Sequence, residues 1–125
     1  MVVDDNKDLL LMMKMILEQE TPGHIVECFD SPQAAWQAFA TAPEEYEVVI
    51  TDFEMPGIDG VELCRRLRAV AHSVKVFLAT GSGYFTETDA TDAGFLGLLN
   101  KPFGLERLHA VLAHAGIKTN VASCA

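Results

Sequence analysis

Five side chains of this 125-residue chain have the types and positions to do chemistry together: the acids Asp4, Asp5 and Asp52, the Thr80 hydroxyl and the Lys101 ammonium. Carboxylates forced close together repel and raise one another's pKa values. A hard divalent cation with oxygen ligands removes that conflict, and Mg2+ suits one or two carboxylates together with phosphate and water. A carboxylate can also attack phosphorus and become an acyl phosphate. Phosphoryl transfer asks mainly for positioning and neutralisation of charge. A cation at one phosphoryl oxygen, Lys101 at a second and the Thr80 hydroxyl at a third would meet those needs.

These residues can act together only if the fold gathers them, and the hydrophobic pattern says how. Met1–Val3 is an apolar stub ending in two aspartates, and Lys7–Gln19 carries a helical stripe of Leu9, Leu10, Met13, Ile16 and Leu17. Thr21-Pro22-Gly23 breaks that helix, and His24–Phe29 alternates like a short strand. Ser31-Pro32 caps a second helix running to about Thr41, with Ala35, Trp36 and Phe39 on its buried face. Val48-Val49-Ile50 reads as a strand buried on both sides and ends in Thr51-Asp52. A third helix spans Val61 to about Val70, after a turn in which Gly57 and Gly60 serve structural roles together with Asp59.

Val74–Ala79 is a fourth strand ending at Thr80-Gly81, and a weaker helix lies near Thr86–Ala93. Leu96–Leu99 is a fifth strand, ending in Asn100-Lys101-Pro102, before a last helix over Leu105–Ala115. Strand and helix alternating in this way imply an α/β fold, a doubly wound parallel sheet with helices on both faces. In such a sheet all strand C-termini share one edge, where ligands bind in a crevice. The acids, the hydroxyl and the ammonium each fall at such an end.

The marks Val3-Asp4-Asp5, Thr51-Asp52, Met55-Pro56-Gly57-Ile58-Asp59-Gly60, Thr80-Gly81 and Lys101-Pro102-Phe103 occur in an order and spacing that resembles the response-regulator receiver family along nearly the whole chain. The resemblance implies a (βα)5 flavodoxin-like fold with strand order 2-1-3-4-5, over residues 1–118, with 119–125 as a frayed tail. It implies Asp52 as phosphoacceptor, and Asp5, Asp52 and the backbone carbonyl of Glu54 as Mg2+ ligands, with Mn2+ as a substitute. Asp4 would help through water or as the second acid. Thr80 and Lys101 would hold the phosphoryl group, Glu54 and Ser82 would tune its loss, and Pro102 would follow a cis peptide bond. A histidine kinase or histidine phosphotransfer protein would be the donor. An output partner would contact the last two helices and the fifth strand. The only turnover expected is self-phosphorylation and autodephosphorylation.

Two departures stand out. The family usually carries an aromatic residue three positions before the lysine, which turns inward on phosphorylation, and here that position is Leu98. Leu98 is therefore expected to move little, with Phe95, Tyr84 or loop movement carrying the signal. The first strand normally has further apolar residues before Val2, so the chain is expected to be trimmed or cut from a longer protein. A stand-alone regulator and a receiver excised from a hybrid histidine kinase both fit.

Other readings compete. An Asp-nucleophile phosphatase of the haloacid dehalogenase type would use similar residues, but it would place a second Asp where this chain has Glu54. A receiver-like binding module that is never phosphorylated is the other alternative. A flavodoxin-like cofactor binder is weaker, because Gly81-Ser82-Gly83 lacks a phosphate-cradling motif. The net charge of −9 argues against nucleic-acid binding by this domain. No apolar run approaches the ~18 residues that span a bilayer, and the start is unlike a signal peptide, so a cytoplasmic domain without membrane contact is expected. Cys28 and Cys64 read as apolar fillers, Cys124 as a tail residue, and the four histidines show no metal-ligand spacing.

Overall fold

The computed structural model describes residues 1–81, 83 and 85–119; Ser82, Tyr84 and Cys124, singled out above, lie outside the described residues, as does most of the 119–125 tail. Its elements alternate: β1 (Val2–Val3), α1 (Lys7–Glu20), β2 (Cys28–Phe29), α2 (Pro32–Thr41), β3 (Val48–Asp52), α3 (Gly60–Val70), β4 (Lys75–Thr80), α4 (Glu87–Asp92), β5 (Gly97–Asn100) and α5 (Leu105–His114). The five strands form one parallel sheet in the order β2-β1-β3-β4-β5, as the resemblance implies.

Period-two alternation divides the core. On β4, Phe77 and Ala79 face α1 and α5 with Leu10, Met13, Leu17, Leu108 and Leu112. Val76 and Leu78 face the opposite layer, with Phe39, Leu63, Leu67 and Leu98. Burial on both faces explains the unbroken apolar runs of β3 and β4. Cys64 is fully enclosed in the second layer, and burial pushes its thiol up to about 11, which suits a filler rather than a nucleophile.

Side-chain caps start the first four helices. The Asn6 side chain accepts the Leu9 N–H at 3.1 Å to open α1, and Ser31 accepts the Ala34 N–H at 3.3 Å to open α2. Asp59 accepts the Glu62 N–H at 2.8 Å to open α3, while Thr86 and Asp89 form a reciprocal capping box on α4.

The structure differs from the pattern reading at β2, where only Cys28–Phe29 of the predicted His24–Phe29 pairs. β2 is an edge strand whose one neighbour is β1, itself only Val2–Val3, so its ladder stops where β1 stops. Trp36 is half-buried, whereas Ala35 and Phe39 are fully enclosed.

The turn between β3 and α3 holds the chain closest to the site. Gly57 takes φ +94°, a left-handed conformation that glycine adopts without strain. Gly60 donates its N–H to the Phe53 carbonyl at 2.8 Å, and a Cβ placed on it would sit 2.3 Å from the Asp52 carbonyl oxygen. No side-chain adjustment relieves a clash with backbone. Gly60→Ala is therefore expected to lower stability by about 1–3 kcal/mol. A urea midpoint equal to that of the unmodified chain would refute this account of the turn.

Candidate functional site

Register brings the site together. Val3 lies beside Thr51, Asp52 beside Ala79, and Thr80 beside Asn100, so the residues that end β1, β3, β4 and β5 meet along one edge. Asp4, Asp5 and Asp52 each present a carboxylate oxygen, and these atoms lie within 4.8 Å of one another. Asp4 is buried, Asp52 half-buried and Asp5 exposed. The Lys101 ammonium reaches in from the end of β5, 2.6 Å from Asp4 Oδ2 and 3.3 Å from Asp52 Oδ1.

Supporting bonds fix these groups. The Asn6 N–H donates to Asp4 Oδ1 at 2.9 Å, leaving Oδ2 for Lys101. The Lys101 N–H donates to the Thr80 carbonyl at 2.9 Å, tying the two loops that bear the hydroxyl and the ammonium. Thr80 itself is 2% exposed. The peptide between Lys101 and Pro102 is cis. Glu54 is exposed at the rim of the site.

Burial raises the pKa of Asp52 above the ordinary carboxylate value, Lys101 opposes that rise, and the neighbouring Asp4 adds to it. Three carboxylates thus converge, and the one ammonium described beside them pairs with Asp4 and Asp52, leaving an excess of negative charge and oxygen donors. That donor set fits a hard divalent cation. The fit rests on convergence from two separate strand ends, since adjacent acids alone are common on surfaces.

A parallel five-stranded α/β sheet with an acid cluster and a lysine at its C-terminal edge belongs to the open doubly wound class, which binds ligands at that edge. The comparisons narrow this. The family model for the response regulator receiver domain matches residues 1–113, and the chain belongs to that family. It is similar to the response regulator RppA of Synechocystis sp., 32% identical over 113 residues covering 90% of this chain and 47% of that protein. It is also similar to the transcriptional regulatory protein FixJ of Bradyrhizobium diazoefficiens, 30% identical over 115 residues covering 91% of this chain and 54% of that protein. The chain spans about half the length of the curated relatives it matches.

Among solved structures, a response regulator receiver domain protein from Clostridium thermocellum superposes with a TM-score of 0.83 at 27% identity, covering 91% of this chain and 90% of that one. The beryllofluoride-activated NtrC4 receiver domain dimer gives 0.81 at 27% identity, covering 91% and 92%.

Pattern reading alone overlooked Asn6, which both caps α1 and orients Asp4, and the Phe53 backbone, which favours the ionised form of Asp52. The Asx cap before the Lys7–Gln19 stripe was a signal for the first. The second is a backbone contact with no mark in residue type.

A group whose folded pKa is raised is destabilising in its ionised form, and stability is gained as pH falls through that raised value. At neutral pH and without divalent cations, Asp52→Asn is thus expected to raise Tm by roughly 2–5 °C. A lower Tm for the variant under those conditions would contradict the crowding of charge.

Proposed function

We propose that this receiver domain accepts a phosphoryl group on Asp52 from a phosphohistidine of a histidine kinase or histidine phosphotransfer protein, and switches a partner or attached domain. The observation that carries the reading is the convergence of the Asp4, Asp5 and Asp52 carboxylates at the strand ends, with the Lys101 ammonium against Asp4 and Asp52. Family membership supports the donor class, since response regulator receiver domains interact with such kinases and phosphotransfer proteins. It also supports a cytoplasmic setting; among the described residues no helix is long and apolar enough to cross a membrane.

In the transfer, an Asp52 carboxylate oxygen attacks phosphorus, the phosphorus–nitrogen bond of the donor breaks, and the imidazole leaves with the bonding pair and takes up a proton. Lys101 neutralises charge on the incoming group, and the Thr80 hydroxyl donates to it. Asp5, Asp52 and the Glu54 backbone carbonyl would hold Mg2+, with Asp4 as the second acid. The bound cation would supply charge neutralisation at a phosphoryl oxygen. Hydrolysis reverses the modification: water attacks phosphorus, the acyl-phosphate P–O bond breaks, and the Asp52 carboxylate and inorganic phosphate remain. Glu54, two residues after Asp52, and Ser82, two residues after Thr80, would tune that step.

Incubation with acetyl phosphate and Mg2+, followed by intact-mass spectrometry, tests the reading. One phosphoryl adduct is expected, absent in Asp52→Asn and without Mg2+, and formed about tenfold or more slowly in Lys101→Ala. No adduct under conditions that label another receiver would move the assignment to a binding module that is never phosphorylated. Adduct lifetimes test the tuning role. Glu54→Ala and Ser82→Ala are expected to shift the half-life severalfold, and unchanged half-lives in both would remove these residues from the account.

A further inference from the structure

The position from which a ring would swing is occupied by Leu98, which is 2% exposed and packed with Leu78, Ala90 and Phe95. A short branched side chain enclosed on this scale has neither the reach nor the space to act as a rotor. A pair of rings bridges the two site loops elsewhere. Phe53, the residue after Asp52, and Phe85, the residue before the α4 cap Thr86, meet edge to face with centroids 4.8 Å apart and planes inclined by 67°. Both are half-buried, so the contact can rearrange without opening the core.

Each ring is rooted in a functional part of the chain. Phe53 follows Asp52 directly in the chain, and its carbonyl accepts the Gly60 N–H at the start of α3. Phe85 leads directly into the Thr86–Asp89 capping box. The first residue of α4, Glu87, pairs with Arg107 of α5, which also donates to the Leu98 carbonyl at 2.7 Å. A continuous path therefore runs from the residue after Asp52 through two rings to α4, and from there to β5 and α5.

We propose that the Phe53–Phe85 ring pair couples the state of Asp52 to the start of α4, in place of a ring rotating at position 98. The inference rests on the phosphoacceptor reading of Asp52. A phosphoryl group on that carboxylate adds bulk and charge one residue from Phe53, and so shifts the seat of the first ring. The bias that one edge-to-face pair exerts on a two-state equilibrium is roughly two- to tenfold, enough to shift a marginal helix start. α4 is such an element: it is only Glu87–Asp92, with Ala90 as its buried residue.

Hydrogen–deuterium exchange of the peptide spanning 86–93 tests this, with acetyl phosphate and Mg2+ as the phosphorylating mixture. Adduct occupancy is read by intact mass in the same sample. In the unmodified chain the adduct is expected to change α4 exchange by at least about threefold. At matched occupancy, Phe53→Leu and Phe85→Leu should each lose most of that response, the double variant should lose no more than either, and Phe85→Tyr should restore it. Leu98→Val should keep it.

A response retained in both leucine variants would overturn the proposal, as would a response lost in Leu98→Val but kept in Phe85→Leu. An unmodified chain that forms the adduct without any change in α4 exchange would overturn it too, leaving the phosphoacceptor reading intact. An unmodified chain that forms no adduct would instead bring down that reading, and the coupling with it.

Discussion

The Lys101 ammonium set among carboxylates is the interaction on which the rest of this structure depends. It lies 2.6 Å from Asp4 and 3.3 Å from Asp52, while three carboxylates converge within 4.8 Å. Two unit charges about 5 Å apart at an effective dielectric of about 20 repel by about 3 kcal/mol. A domain's net stability is only about 5–15 kcal/mol, so such repulsion is a substantial load. One ammonium offsets part of it. The two apolar layers, packed on either side of the strands, hold the ends of β1, β3, β4 and β5 in place against the remainder.

That unresolved charge is also what makes the site useful. Oxygen donors that would separate in a looser fold stay aimed at one point, which is the arrangement a hard cation and a phosphoryl group both need. Close approach of backbone preserves it. Asn6 orients Asp4, and Gly60 lets α3 begin against the end of β3. The same loops lead outward to α4 and α5, so the cluster and the surface that would answer to it are mechanically close.

Much of this was legible because its signals are local. Buried strands read as apolar runs, the start of α2 as Ser31-Pro32, and the sharp turn as Gly57 and Gly60 with Asp59. The extent of β2 was not legible, because an edge strand pairs only as far as its neighbour allows. Other unforeseen contacts join distant residues. His109 of α5 meets Glu20 at the end of α1 at 2.5 Å, and Lys75 caps α5 at the Ala115 carbonyl at 2.7 Å. Residue type gives no hint of such pairs.

By itself, the sequence determined the alternation of strands and helices, the parallel sheet, and which side chains stand at strand ends, since hydrophobic periodicity and capping act over a few residues. Only the tertiary structure decided that Asp4 rather than Asp5 is buried against Lys101, that Leu98 is enclosed, and that Phe53 and Phe85 meet. These outcomes depend on strand register and on how neighbouring loops pack. Both are set by the whole core at once.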